Sequence, residues 1–134
     1  MRLFVQASRF SRSMSRRTGA QRSLVAMRVL SNLEGQPLRV GELAAREMVT
    51  QPAMTTTLNR LATDGLVERH VDADDARAAL VALTDAGHDA LASFRARAAN
   101  AARPVLDELA DDDLTTLVRA ADLLERLVAT LDPP

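Results

Sequence analysis

Two groupings of side chains in this chain have the types and spacing to do chemistry. The first lies between Thr50 and Thr63, in the run TQPAMTTTLNRLAT. At about 100° per residue, Gln51, Pro52, Thr55, Thr56, Asn59, Arg60 and Thr63 sweep across one side of a helix, while Met54, Leu58 and Leu61 fall together on the other. Amides and hydroxyls on an exposed helix suit the major groove of duplex DNA, where glutamine can pair with an adenine edge and threonine can meet base edges or a thymine methyl. The same face would serve as plain solvated surface, and this helix alone does not separate the two readings. The second grouping is Asp75 and Arg77, two apart in the polar loop DADDARA between two strand-like runs. Its carboxylate can shape the loop or hold the guanidinium, and an arginine at a hairpin tip can enter the narrow minor groove, where the potential is most negative. An ordinary solvated turn with a surface ion pair worth little is the alternative. A hairpin following directly on a polar-faced helix tilts both groupings toward nucleic acid.

Little else points to a reaction. His70 and His88 are the only histidines, and neither has a serine or cysteine at triad spacing. His70, Asp72, Asp74 and Asp75 are cation-compatible and close in sequence, but a solvated loop is the simpler account, so no metal site is expected. The five glycines are scattered and form no phosphate loop. The absence of cysteine removes disulfides, thiolate metal sites and cysteine redox switching. The expectation is a protein that is not an enzyme and holds no cofactor.

Positioning these groups takes a specific set of elements. Thr50 can cap a helix running from Gln51 to Asp64, with Pro52 in its first turn and Gly65 as its stop. Val40, Leu43 and Ala44 mark a shorter helix before it, interrupted from Arg46 to Val49. Leu66–Val71 and Ala79–Leu83 read as a hairpin, and Leu38-Arg39-Val40 as a brief third strand beside it, with Arg39 a candidate phosphate contact. Flanking this centre are amphipathic helices. Leu3, Phe4, Ala7, Phe10 and Met14 form the apolar stripe of the first, from Leu3 to about Arg17, and Gln21–Leu33 is a second, ended by Glu34-Gly35-Gln36-Pro37. After the hairpin, Thr84 can cap a helix with Leu91, Phe94, Ala98 and Ala101 as its buried line; Pro104 predicts a kink, or a break with a restart through Val105–Leu109. Asp111-Asp112-Asp113 open a last helix with an apolar seam through Leu114, Leu117, Val118, Ala121, Leu124, Val128 and Leu131. Such a seam needs a partner, and a two-fold homodimer built from the two ends of the chain supplies one. The basic stripe of the first helix could also suggest a membrane surface, but its phenylalanine and leucine fit a partner helix better, and no membrane partner is expected.

The chain carries 134 residues and a net charge of −1, a sum that hides two opposed halves. Residues 1–60 hold ten arginines against three acids, a balance of +7, and residues 61–134 hold seven arginines against fifteen acids, a balance of −8. The basic half contains the candidate groove-facing helix. There is no lysine; arginine suits bidentate phosphate contact, although a GC-rich genome would produce the same bias. No long apolar run and no leader-like segment is found, so a cytoplasmic location is expected.

ELAAREMVTQPAMTTTLNRLATDGLVER followed by HVDADDARAALVALTDAG resembles the MarR family of bacterial transcriptional regulators, whose wing takes the form D-x-R followed by a strand ending in L-T-x-x-G. Here those elements are Asp75, Arg77, Leu83, Thr84 and Gly87, and the resemblance covers residues 40–87. It implies a mainly α fold with a small β-wing, organised as N-terminal helices over 1–33, a winged helix-turn-helix over 38–84 and C-terminal dimerisation helices over 85–134. It also implies a homodimeric regulator, most simply a repressor on a near-palindromic double-stranded operator, released by a small aromatic or phenolic effector in a crevice between dimer body and reading head. Gln51, Pro52, Thr55 and Thr56 would then contact base edges, Arg39, Thr50 and Arg60 phosphates, and Arg77 the minor groove, with Asp75 supporting the wing. Met48 stands where many members have glycine, and Thr56 and Ala76 where arginine is common, which implies weaker phosphate attraction. The rival expectation is a helical interaction module that kept the winged scaffold without DNA binding.

Overall fold

The computed structural model describes residues 1–17, 24–71 and 79–131. Its elements run α1 (Arg2–Arg17), α2 (Leu24–Asn32), β1 (Leu38–Arg39), α3 (Val40–Arg46), α4 (Gln51–Thr63), β2 (Val67–Val71), β3 (Ala79–Leu83), α5 (Asp85–Leu106) and α6 (Asp111–Leu131). They fall into two compact units, Met1–Ala99 and Asn100–Pro134.

In the first unit the helix-turn-helix is built from one termination device used twice. At the end of α4, Leu66 N–H reaches Leu61 O and Gly65 N–H reaches Ala62 O, both at 2.9 Å, with Gly65 at φ 73°. This is a Schellman ending, and glycine takes its left-handed position freely. At the end of α3, Val49 N–H reaches Ala44 O at 3.0 Å and Met48 N–H reaches Ala45 O at 3.1 Å. The left-handed residue there is Met48, at φ 52°. The turn therefore does not avoid the conformation that glycine favours; it imposes it on a β-carbon, at about 1–2 kcal/mol.

Between these two endings Thr50, extended at φ −72° and ψ 151°, caps α4 by accepting the Ala53 N–H at 3.4 Å. Glu47 anchors the turn from the other side. Its side chain is 5% exposed, and the carboxylate accepts from Arg28 Nε at 2.6 Å and from Asn32 Nδ2 at 2.9 Å, tying the turn to α2.

The sheet is antiparallel in the order β1-β3-β2, with Leu38 and Arg69 both opposite Val81. Two expected strand bounds shift by one residue. Val40 begins α3 instead of ending β1, because Arg39 becomes the helix N-cap and its N–H is held by Glu42 Oε2 at 2.7 Å. Leu66 is spent on closing α4, and its carbonyl accepts the Thr84 N–H at 3.2 Å, so β2 starts at Val67. Val29, Leu30, Leu43, Met54, Leu58, Leu61 and Val81 are the largest fully buried side chains, and they join α2, α3, α4 and the sheet in one core.

Gly87 fixes where α5 leaves this core. A β-carbon on it would lie 2.2 Å from Leu66 O and 2.8 Å from Leu83 Cδ2. Thr84 closes the same corner, its hydroxyl donating to Gly65 O at 2.6 Å and accepting the Gly87 N–H at 3.1 Å. Farther along, Arg95 grips Glu34 with two bonds of 2.7 Å, joining α5 to the loop after α2. Leu91 is buried, whereas Phe94 and Ala98 are half-buried.

Pro104 does not break α5, contrary to the break-and-restart expectation. The helix runs through it to Leu106, and Asp107 N–H closes the last turn on Arg103 O at 2.9 Å. Only the one bond proline cannot donate is forfeited, close to the helix end.

In the second unit α6 starts where Asp113 and Leu114 N–H groups both reach Ala110 O at 3.0 Å, with Asp111, Asp112 and Asp113 in its first turn. No residue of α6 is buried: Leu117, Val118, Leu127, Val128 and Leu131 are each at least half exposed. Within the first unit α1 likewise leaves Leu3, Phe4, Val5 and Phe10 open. No helix among the described residues is long and apolar enough to cross a membrane.

Candidate nucleic-acid interface

Helix α4 divides as its spacing predicts. Met54, Leu58 and Leu61 are 0–2% exposed and lock the helix onto the core. Gln51, Pro52, Thr56, Asn59, Arg60 and Thr63 face outward, while Thr55 is half-buried between the two sides. Thr56, Asn59, Arg60, Thr63 and Asp64 line a shallow depression along the outer face.

The hydroxyl groups of this face are partly committed. Thr56 donates to Pro52 O at 3.0 Å and Thr63 to Asn59 O at 2.9 Å. A threonine bonded this way to its own helix has used its proton, so what it offers outward is an acceptor oxygen and a methyl group. Thr50 is the reverse case. Its oxygen accepts from Ala53 and its own proton remains available to a phosphate. Gln51 lies beside α3, with its Nε2 3.3 Å from the place a β-carbon on Gly41 would take. Arg39 is exposed at the start of α3, and Arg60 on the last turn of α4.

Thus Thr50, Gln51, Pro52, Thr56 and Arg60 share one exposed stretch of α4 and its cap. Asp75 and Arg77 lie outside the described residues, as do Asp72, Asp74 and Ala76. Among the described residues no cluster of side chains is arranged to hold a metal ion.

One side chain belongs to this surface that the helix pattern alone did not select. Arg69 on β2 extends its Nη2 to Asn59 Oδ1 on α4, 2.8 Å away. Strand alternation carried the signal: Val67 is buried, and Arg69 lies two residues on, on the same face of the strand. Glu68 and His70 lie on the opposite face and contact each other at 3.0 Å.

A polar-faced helix after a helix-turn, flanked by a three-stranded antiparallel sheet, is the geometry of a winged helix-turn-helix. A model of the MarR family matches residues 20–78. Over that stretch the chain is similar to the MarR family. Its fold is similar to that of a mutant MarR from E. coli, at TM-score 0.78 and 23% identity over 95% of this chain and 94% of that one. The transcriptional regulator BldR from Sulfolobus solfataricus matches at TM-score 0.69 and 26% identity, over 94% of this chain and 92% of that one. A mutant of S. aureus MepR bound to an oligodeoxyribonucleotide matches at TM-score 0.66 and 18% identity, over 97% and 96% of the two chains. The likeness is nearly end to end, so the MarR-type fold of transcriptional regulators takes in α1, α5 and α6 as well as the matched segment.

Proposed function

We propose that this protein is a MarR-family, sequence-specific DNA-binding transcriptional regulator, a repressor that acts as a homodimer on a near-palindromic operator. The observation that carries the reading is the two-sidedness of α4: three fully buried apolar anchors hold a rigid rod whose exposed face is amide, hydroxyl and guanidinium. Rigid presentation matters because base edges are read by directed hydrogen bonds. Gln51, Pro52, Thr55 and Thr56 are assigned to base edges, Thr55 with only part of its side chain available. Thr50, Arg60 and Arg39 are assigned to phosphates, and Arg77, supported by Asp75, to the minor groove. The MepR structure supports the reading by analogy, since that protein has the same fold and holds DNA.

The uncovered apolar stripes of α1 and α6 support the dimer, as does their charge. Helix α1 carries Arg2, Arg9, Arg12, Arg16 and Arg17 with no acid, and α6 opens on three aspartates. Two copies related by a two-fold axis would present their α4 helices to half-sites about one helical turn apart, roughly 10 bp. A small aromatic or phenolic effector that prefers a dimer with a different head spacing would lower operator occupancy by population shift.

Selection of bound duplexes from random DNA, followed by fluorescence-anisotropy titration at several salt concentrations, tests the reading. The expected result is a near-palindromic site whose affinity falls linearly in log–log form with salt, each neutralised phosphate adding about −0.9 to the slope. Arg77→Ala is expected to weaken that affinity. Unchanged affinity removes the wing from the mechanism, and no binding even at low salt replaces the regulator with an interaction module.

A further inference from the structure

We infer that Arg69 is a positioning residue for base recognition, holding the Asn59 carboxamide so that the pair offers hydrogen-bond donors to a guanine edge. The inference rests on the proposed DNA-binding role of α4 and adds two residues and a base preference to it.

The geometry begins with what arginine can do. A guanidinium has five N–H donors and no acceptor, so the Asn59 atom that Arg69 Nη2 meets at 2.8 Å has to be the carbonyl oxygen. That contact sets the orientation of a group that would otherwise flip freely on an exposed helix. With Oδ1 drawn toward β2, Nδ2 is the arm left for a ligand, and among the described residues it donates to no protein acceptor. The remaining N–H groups of Arg69 add donors beside it. Among the described residues no carboxylate neutralises Arg69, because Glu68 lies on the other face of the strand against His70. The composite is therefore rich in donors and carries positive charge, on the outer face of α4 one turn beyond Thr55.

Base edges differ in how they answer such a group. In the major groove guanine presents two acceptors, N7 and O6. Adenine presents one acceptor and one donor, and cytosine presents a donor. An asparagine free to turn would favour adenine by pairing both amide arms with N6 and N7. Bonding the oxygen to Arg69 shifts the match toward guanine, while the backbone of β2 holds Arg69 in place against α4.

The test compares the wild type, Arg69→Ala, Asn59→Ala and the double variant. Both side chains are exposed, so all four proteins are expected to fold, and circular dichroism checks it. Duplexes are selected from random DNA by each protein, and affinity is then measured for the winning site and its single-base changes. The wild type is expected to require guanine at one position per half-site by roughly tenfold over adenine. Each single variant is expected to erase that preference at the same position, with the double variant no worse there than either single one.

Four outcomes overturn the inference while leaving the regulator intact. They are adenine as the wild-type choice at the position Asn59 controls, an Arg69→Ala effect equal at every base with a salt slope reduced by about one, separate positions affected by the two single variants, and no position changed by Asn59→Ala. If the wild type selects no DNA at all, the proposed function falls and this inference falls with it.

Discussion

Gly87→Ala sets two physical effects against each other, and the structure decides the sign. Gly87 lies in the first turns of α5, and glycine in a helix is normally less favourable than alanine by about 0.8–1.0 kcal/mol. On propensity alone the substitution stabilises. Against this, the added β-carbon would meet Leu66 O at 2.2 Å and Leu83 Cδ2 at 2.8 Å. The leucine methyl can turn aside, but the Leu66 carbonyl cannot. It accepts the Thr84 N–H at 3.2 Å, and Leu66 N–H is itself held by Leu61 O. To relieve the contact, α5 has to move outward, stretching the bonds that Thr84 makes to Gly65 O and from Gly87 N–H. Overpacking of this kind costs about 1–3 kcal/mol and sometimes more. The net expectation is a loss of up to about 2 kcal/mol, or up to roughly 8 °C in Tm for a chain of this size. Thermal and urea melts should be run at one fixed protein concentration, since an oligomer's Tm depends on it. A midpoint equal to or above that of the wild type would refute the argument that the close approach at Gly87 outweighs helix propensity.

Met48→Gly should raise stability by about 0.5–1 kcal/mol, because relief of the left-handed strain exceeds the added freedom of the unfolded chain; the side chain is 92% exposed and no packing is lost. A lower urea midpoint would contradict it. Glu47→Ala should destabilise by about 1 kcal/mol, since part-buried Asn32 Nδ2 loses its acceptor while the exposed Arg28 guanidinium turns to water, and equilibrium unfolding measures it. Glu34 has its pKa lowered from the ordinary 4.5, chiefly by the hydrogen bonds from Arg95, whose own pKa is raised. A depressed carboxylate contributes stability that is complete above its unfolded pKa and lost as pH falls through the folded one. The stability difference between the wild type and Glu34→Gln should therefore be constant above about pH 5.5 and shrink below 4.5; a difference that grows on acidification would reverse the assignment.

Periodicity determined most of the architecture by itself. The i, i+4 run of Met54 and Leu58, the cap at Thr50 and the stop at Gly65 placed α4 to within a residue, because each of these signals acts over a single helical turn. The same locality made the outer face of α4 legible, and the short apolar run Ala79–Leu83 after the polar loop placed β3. Only the tertiary structure decided three things. Met48 adopts the glycine-like conformation because the Glu47 clamp to α2 and the Schellman bonds of α3 together leave its backbone no other course. Pro104 stays within α5 because the hydrogen-bond ladder closes again one turn later. Arg69 joins the surface of α4 because the sheet turns the face carrying Val67 toward that helix, bringing together residues ten apart in sequence. A contact between elements depends on how they pack, and neither a helix pattern nor a strand pattern carries that information alone.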